Sequence, residues 1–204
     1  MTAETMTPSA DMTIHPGWVR VTHWINAIAI LVMIGSGWQV YNASPLFGFT
    51  FPKSIALGGW LGGALLWHFA AMWVLVINGI VYVTLGLLSG RFRRKLWPIY
   101  PSEVLADAKA AFAFKLAHDD LSQYNAVQKV LYSSVILTGI VIVLSGLAIW
   151  KPVQFQELTT LFGGSDFARY VHFIAMAAIV GFLVVHIALA LLVPKSLRAM
   201  VAGR

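Results

Sequence analysis

Histidine is the residue type in this chain with the most chemistry to offer. There are six histidines and no cysteine. The lack of cysteine removes disulfides, thiolate-bound zinc, iron–sulfur clusters and C-x-x-C-H cofactor attachment. Four histidines, His23, His68, His172 and His186, fall inside long apolar stretches. An imidazole ring in such surroundings needs a partner or it costs free energy. One use is an interhelical hydrogen bond; another is ligation of a metal centre, since neutral imidazole is a common metal ligand. The other two look different. His15 lies in a polar leader, and His118 stands beside Asp119 and Asp120 in a polar connection that reads as a solvated loop.

The elements that must position these rings are membrane spans. Hydrophobic residues make up 59% of the 204 and charged residues 11%, where soluble domains carry about 25% charged. So few charges would leave a soluble surface greasy, and lipid is the natural solvent for it. Four apolar stretches reach the roughly 20 helical residues that a bilayer requires: about 19–40, 55–88, 127–150 and 170–193. The expected fold is therefore all-α, an integral membrane four-helix bundle in one domain, residues 18–204, behind a polar cytoplasmic leader, 1–17. The leader has no basic region before a short apolar core, so no cleavable signal is expected. Between the second and third spans, Val104, Leu105, Ala108, Phe112 and Lys115 recur at helical spacing. They predict a short cytoplasmic surface helix from Pro101 to about Leu116.

Four spans place both termini on one side. Eleven of the fourteen Lys and Arg fall on that side; Lys53, Lys151 and Arg169 fall on the other. The positive-inside rule makes both termini cytoplasmic. The formal charge of +6 then follows from topology and anionic lipid, with no need of nucleic acid.

Depth selects partners among the histidines. His172 and His186 are fourteen residues apart, which at 100° per residue falls about 40° short of four turns, so both point the same way. They stand about 21 Å apart along one helix. His23 opens an outward span and His68 lies early in an inward one. The depth-matched pairs are His23 with His186, near the cytoplasm, and His68 with His172, near the outside. Two such imidazoles from facing helices can clamp the iron of a flat macrocycle in a bundle core. Small residues would let a porphyrin approach: Gly35 and Gly37; Gly58, Gly59, Gly62, Gly63 and Ala64; Ala175, Ala177, Ala178 and Gly181. Close helix packing uses the same residue types. Trp24, Trp67, Phe69 and Phe173 flank the histidines. Arg20, one turn before His23, and Arg169, three residues before His172, are candidate partners for haem propionates.

Arg20-x-x-His23-Trp24, His68, Tyr124-Asn125-x-x-Gln128-Lys129, His172-x13-His186, Ile149-Trp150-Lys151-Pro152 and the tail from Lys195 to Gly203 resemble the bacterial cytochrome b561 and nickel-hydrogenase cytochrome b family. They are similar to the membrane subunit of respiratory formate dehydrogenase in particular. The resemblance covers about residue 17 to the end. It implies four core helices, two haems b in the pairing above, and a ubiquinone or menaquinone site near the cytoplasmic haem, where the family's motif asparagine falls on Asn125. From the residues alone Asn125 is equally a helix N-cap. Where the family has Gly two positions further on, this chain has Val127. The long Trp- and Gly-rich second span looks closer to stand-alone cytochromes that accompany periplasmic molybdopterin oxidoreductases.

The expected function is a dihaem conduit in the bacterial inner membrane, carrying electrons between the quinone pool and a periplasmic oxidoreductase subunit. Its other partners would be lipid and quinone, and a homo-oligomer is left open. A rival is a superoxide oxidase that reduces quinone unaided, with Lys53, Lys151 and Arg169 forming a positive funnel. A rival of another class is a haem-free transporter or assembly protein.

Overall fold

The computed structural model describes residues 15–113 and 123–203. Four long helices carry the fold: α1 (Gly17–Ala43), α2 (Leu61–Leu88), α5 (Ala126–Trp150) and α7 (Ser165–Leu192). Each has a window of mean hydropathy between 1.4 and 2.6. At 1.5 Å per residue they run roughly 38–42 Å, past the roughly 30 Å of bilayer hydrocarbon. Shorter helices lie at their ends: α3 (Arg91–Leu96), α4 (Pro101–Phe112), α6 (Gln156–Leu161) and α8 (Pro194–Ala202). Among the described residues there is no strand. The chain is an all-helical, multi-pass membrane protein of the bundle class expected from its sequence.

The bundle is two helix hairpins facing each other. Close backbone approach is concentrated within α1–α2 and within α5–α7, and hardly any of it joins one hairpin to the other. Inside each hairpin the packing is tight because the buried positions are small: Ala64, Ala71 and Gly86 on α2, Ser145 and Ala148 on α5, Ala168 and Ala175 on α7. Large apolar residues such as Ile28, Leu66 and Leu88 face outward. In water this would be an inside-out protein; in lipid it is the low-energy arrangement. A polar tie locks the first hairpin, where the Asn78 amide donates to the Thr22 carbonyl at 2.8 Å and to Asn26 Oδ1 at 2.7 Å.

The second span departs from the sequence reading. Its apolar run begins at Ile55, but helix begins at Leu61. Gly58 and Gly59 take positive φ of 111° and 72°, which stops the helix, and the segment folds back on α1 with Leu57 N–H donating to the Gly35 carbonyl at 2.8 Å. Hydropathy reports burial from water and is blind to this turn. The surface helix predicted from Pro101 is α4, described to Phe112; Lys115 and Leu116 lie outside the described residues, as do His118, Asp119, Asp120 and most of the leader. Asp107 on α4 accepts from Ala126 N–H at 2.7 Å, which fixes α4 to the start of α5.

Candidate functional site

The facing hairpins bring the four span histidines together in two pairs. His23 on α1 meets His186 on α7 with ring centres 6.0 Å apart and planes tilted by 56°. His68 on α2 meets His172 on α7 at 6.5 Å and 62°. These are the pairs that depth predicted. Among the described residues no three His, Asp or Glu side chains converge, so the arrangement is two twofold sites rather than a metal cage.

The His68–His172 pair, expected to be the outer one, is held by a repeated device that the sequence reading missed. Ser36 on α1 lies 3.0 Å from His68 Nδ1 and Ser145 on α5 lies 3.1 Å from His172 Nδ1. Both hydroxyls already donate to their own helix, Ser36 to the Val32 carbonyl at 2.6 Å and Ser145 to the Ile142 carbonyl at 3.2 Å. Each serine oxygen therefore accepts from an Nδ1–H, and each ring is left with Nε2 as its lone-pair nitrogen. The next residue completes the device: a Cβ on Gly37 would come 3.4 Å from His68 Cε1, and one on Gly146 would come 3.2 Å from His172 Cε1. The signal was present in the sequence as two Ser-Gly dipeptides, 36–37 and 145–146, one in each span that faces a histidine-bearing span.

The inner pair is framed by aromatic rings instead. Phe182 stacks on His186 at 5.5 Å with a 12° interplanar angle, and Trp24 stands edge-on to His23 at 5.2 Å. His23 Nδ1 is buried without a hydrogen-bond partner. From His186 the ring contacts continue through Phe182 and Tyr132 to Tyr124, at the start of α5.

The two arginines take backbone partners at opposite ends of the bundle. Arg20 Nη1 donates to the Val201 carbonyl of α8 at 2.9 Å, while its Nε is buried and unpartnered. Arg169 Nη2 donates to the Ser44 carbonyl at 2.6 Å and Ser44 Oγ at 3.1 Å, beyond the end of α1. Lys151 lies over the Trp150 ring at 5.0 Å. Asn125 caps α5 in a complete capping box: its Oδ1 accepts from Gln128 N–H at 2.8 Å and its own N–H donates to Gln128 Oε1 at 3.1 Å. The cap leaves the Asn125 amide nitrogen unused.

Several of the glycines grouped as porphyrin neighbours have another task. Gly58 and Gly59 form the turn before α2, Gly63 packs against Gly58, and Gly35 admits Leu57. His15, in the polar leader, is buried. It is 7% exposed, with Nδ1 3.1 Å from Arg91 Nη2. Burial and the nearby charges of Arg91, Lys95 and Arg20 lower its pKa from 6.5 to about 4, so the ring is neutral.

A family model described as prokaryotic cytochrome b561 matches residues 14–203. The chain is 52% identical over 190 residues to "Putative protein-methionine-sulfoxide reductase subunit YedZ1" of Azospira oryzae, covering 93% of this chain and 96% of that protein.

Proposed function

The chain belongs to the prokaryotic cytochrome b561 family of membrane haem proteins, and on that premise we propose that it is a dihaem conduit between the quinone pool and a periplasmic oxidoreductase. The observation that carries this reading is the pair of facing imidazoles at two depths. Two imidazoles bound in line to one metal, at nitrogen–metal distances of about 2 Å, set their ring centres roughly 6 Å apart. The rings here stand 6.0 and 6.5 Å apart.

The surroundings fit a haem on independent grounds. The recorded buried polar atoms without a partner are Arg20 Nε, His23 Nδ1 and Trp38 Nε1. Each lies on α1 within one turn of a paired histidine or of the serine that holds one. Buried donors of this kind are rarely left unpaired in native proteins, and a carboxylate-bearing macrocycle would supply an acceptor for Arg20 Nε.

His23 and His186 would hold the inner haem, with Arg20 on a propionate. His68 and His172 would hold the outer one, with Arg169 on a propionate once it releases Ser44. Bound haem supplies one-electron chemistry at each iron. The chain's own residues do the rest: the histidines set the spacing, the serines fix the outer tautomers, and the apolar spans keep water out. The unused Asn125 amide is available to a quinone carbonyl at the cytoplasmic end. The description of the Azospira oryzae relative as a reductase subunit supports a partner oxidoreductase, docking on the outer loops with Lys53 and Lys151. Both termini would face the cytoplasm.

The test is a haem-to-protein ratio and a redox titration on protein purified from membranes. The expected result is two haems b per chain with two resolvable potentials. Protein with no haem band in reduced-minus-oxidised spectra would refute the reading.

A further inference from the structure

The two hairpins repeat one another. An offset of 109 residues lays α1 on α5 with Gly17 on Ala126, and an offset of 104 lays α2 on α7 with Leu61 on Ser165. Both α2 and α7 are 28 residues long. In this register Ser36-Gly37 falls on Ser145-Gly146, and Ala64, His68, Phe69 and Ala71 fall on Ala168, His172, Phe173 and Ala175. Contacts repeat with the residues. Tyr41 meets Phe173 at 5.1 Å and 35°, and their images Trp150 and Phe69 meet at 5.0 Å and 40°. Arg20 donates to the Val201 carbonyl at 2.9 Å. Its image Lys129 donates to the Pro98 carbonyl at 3.1 Å, next to Trp97, the image of Val201. Membrane repeats of this parallel kind are related by an axis along the membrane normal.

The two histidine pairs respond differently to the repeat. His68 and His172 exchange places, so that pair maps onto itself. The other pair does not. The image of His23 is Tyr132, and the image of His186 is Tyr82. Tyr132 lies within electrostatic reach of Tyr82 and Tyr124, and its ring is 4.9 Å from that of Tyr124. Tyr82 and Tyr132 thus relate α2 to α5 as His186 and His23 relate α7 to α1.

We propose that Tyr82 and Tyr132 mark a second macrocycle site, the image of the one between His23 and His186, closed by the chain's own aromatic rings. The proposal rests on the dihaem reading above. The neighbours explain why one site is open and the other shut. Trp18 and Phe92 stand against Tyr82 at 6.0 and 5.5 Å. Their register partners on the His186 side are Val127 and Ser196. Rings at the image therefore take the place of short side chains at the original. The ligand chemistry points the same way. Imidazole binds iron as a neutral ring, whereas a phenol must first lose its proton. Two tyrosines in an apolar span are a poor ligand pair for that reason. Electrons then have a single branch, through His23 and His186, and the aromatic filling packs the other.

The test copies the original site onto its image. Full-length protein purified from membranes has its haem counted by pyridine haemochrome and its ferric signals read by EPR. The copying variant carries Tyr82→His, Tyr132→His, Trp18→Val and Phe92→Ser. It should bind a third haem b, raising the haem-to-protein ratio about 1.5-fold over wild type and adding a low-spin ferric signal of bis-imidazole type. Adding His23→Ala to this variant should remove one haem and leave the new signal. Tyr82→His with Tyr132→His alone keeps the rings of Trp18 and Phe92, and should gain less than half as much. That milder variant with Phe92→Ser added carries the test if the fourfold one does not accumulate in membranes.

A ratio and spectrum equal to wild type in every variant overturns the proposal. So does loss of the native haems in all of them, because side chains that the fold already holds at equivalent positions should be tolerated. Wild-type protein without haem overturns the dihaem reading instead, and the wild-type count alone separates the two failures.

Discussion

The outer and inner histidine pairs have nearly the same ring separation and are built in different ways. Outside, both Nδ1 atoms are tied by serines whose protons are already committed to helix carbonyls, and glycines give each ring its berth. Inside, His23 Nδ1 is unpartnered, and the rings are framed by Trp24 and Phe182. Hydrogen bonds to the distal nitrogen of a ligand histidine fix its tautomer and raise its basicity. Stacking positions a ring without fixing its protons. The outer site is thus preorganised, and the inner one is left adjustable.

The largest effects should come from the four histidines proposed as haem ligands. His68→Ala or His172→Ala should remove the outer haem alone, and His23→Ala or His186→Ala the inner alone, halving the haem-to-protein ratio by pyridine haemochrome. A single substitution that loses both haems or neither would break the pairing. Next come the glycines. Gly146→Ala puts a methyl 3.2 Å from His172 Cε1, whereas Gly37→Ala puts one 3.4 Å from His68 Cε1. Gly146→Ala should lower outer-haem occupancy more than Gly37→Ala, and neither should touch the inner haem band.

Ser36→Ala and Ser145→Ala each remove an Nδ1 acceptor. Loss of such an outer-shell partner typically costs 10–100-fold in metal affinity, so haem retention at the outer site should fall. A less basic ligand also raises the potential, so a redox titration should show the outer component moving positive while the inner stays in place. Equal shifts in both would erase the contrast between the sites.

The smallest effect concerns the inner end and pH. Folded His15 titrates near 4 and unfolded His15 near 6.5. Between these values the unfolded chain takes a proton that the fold refuses, so stability falls as pH drops from 6.5 towards 4 and is level above 6.5. Melting temperatures of wild type and His15→Gln should differ in slope within that window. Identical slopes would show that the buried Arg91–His15 contact does not persist in the membrane.

Much of the architecture was legible in the chain. The four spans follow from hydropathy, because lipid requires apolar residues around the whole circumference of a helix. The depth pairing of His23 with His186 and of His68 with His172 follows from helical rise and the alternation of span direction. The start of α2 was not legible, because Gly58 and Gly59 sit in an apolar run and turn the chain without changing its hydropathy. The second role of Asn125 was legible only as an alternative, and the capping box with Gln128 is what the structure adds.

The sequence alone determined what is local or periodic: spans, charge bias, and which face and depth each histidine occupies. Only the tertiary structure decided what depends on rotation and distance between helices. It brought Ser36 to His68 across 32 residues and Ser145 to His172 across 27, and gave Gly37 and Gly146 their task. The physical reason is that hydropathy and helical period set each helix by itself, whereas a hydrogen bond or a cavity is fixed by side-chain shapes meeting across two helices, and no single stretch of sequence carries that information.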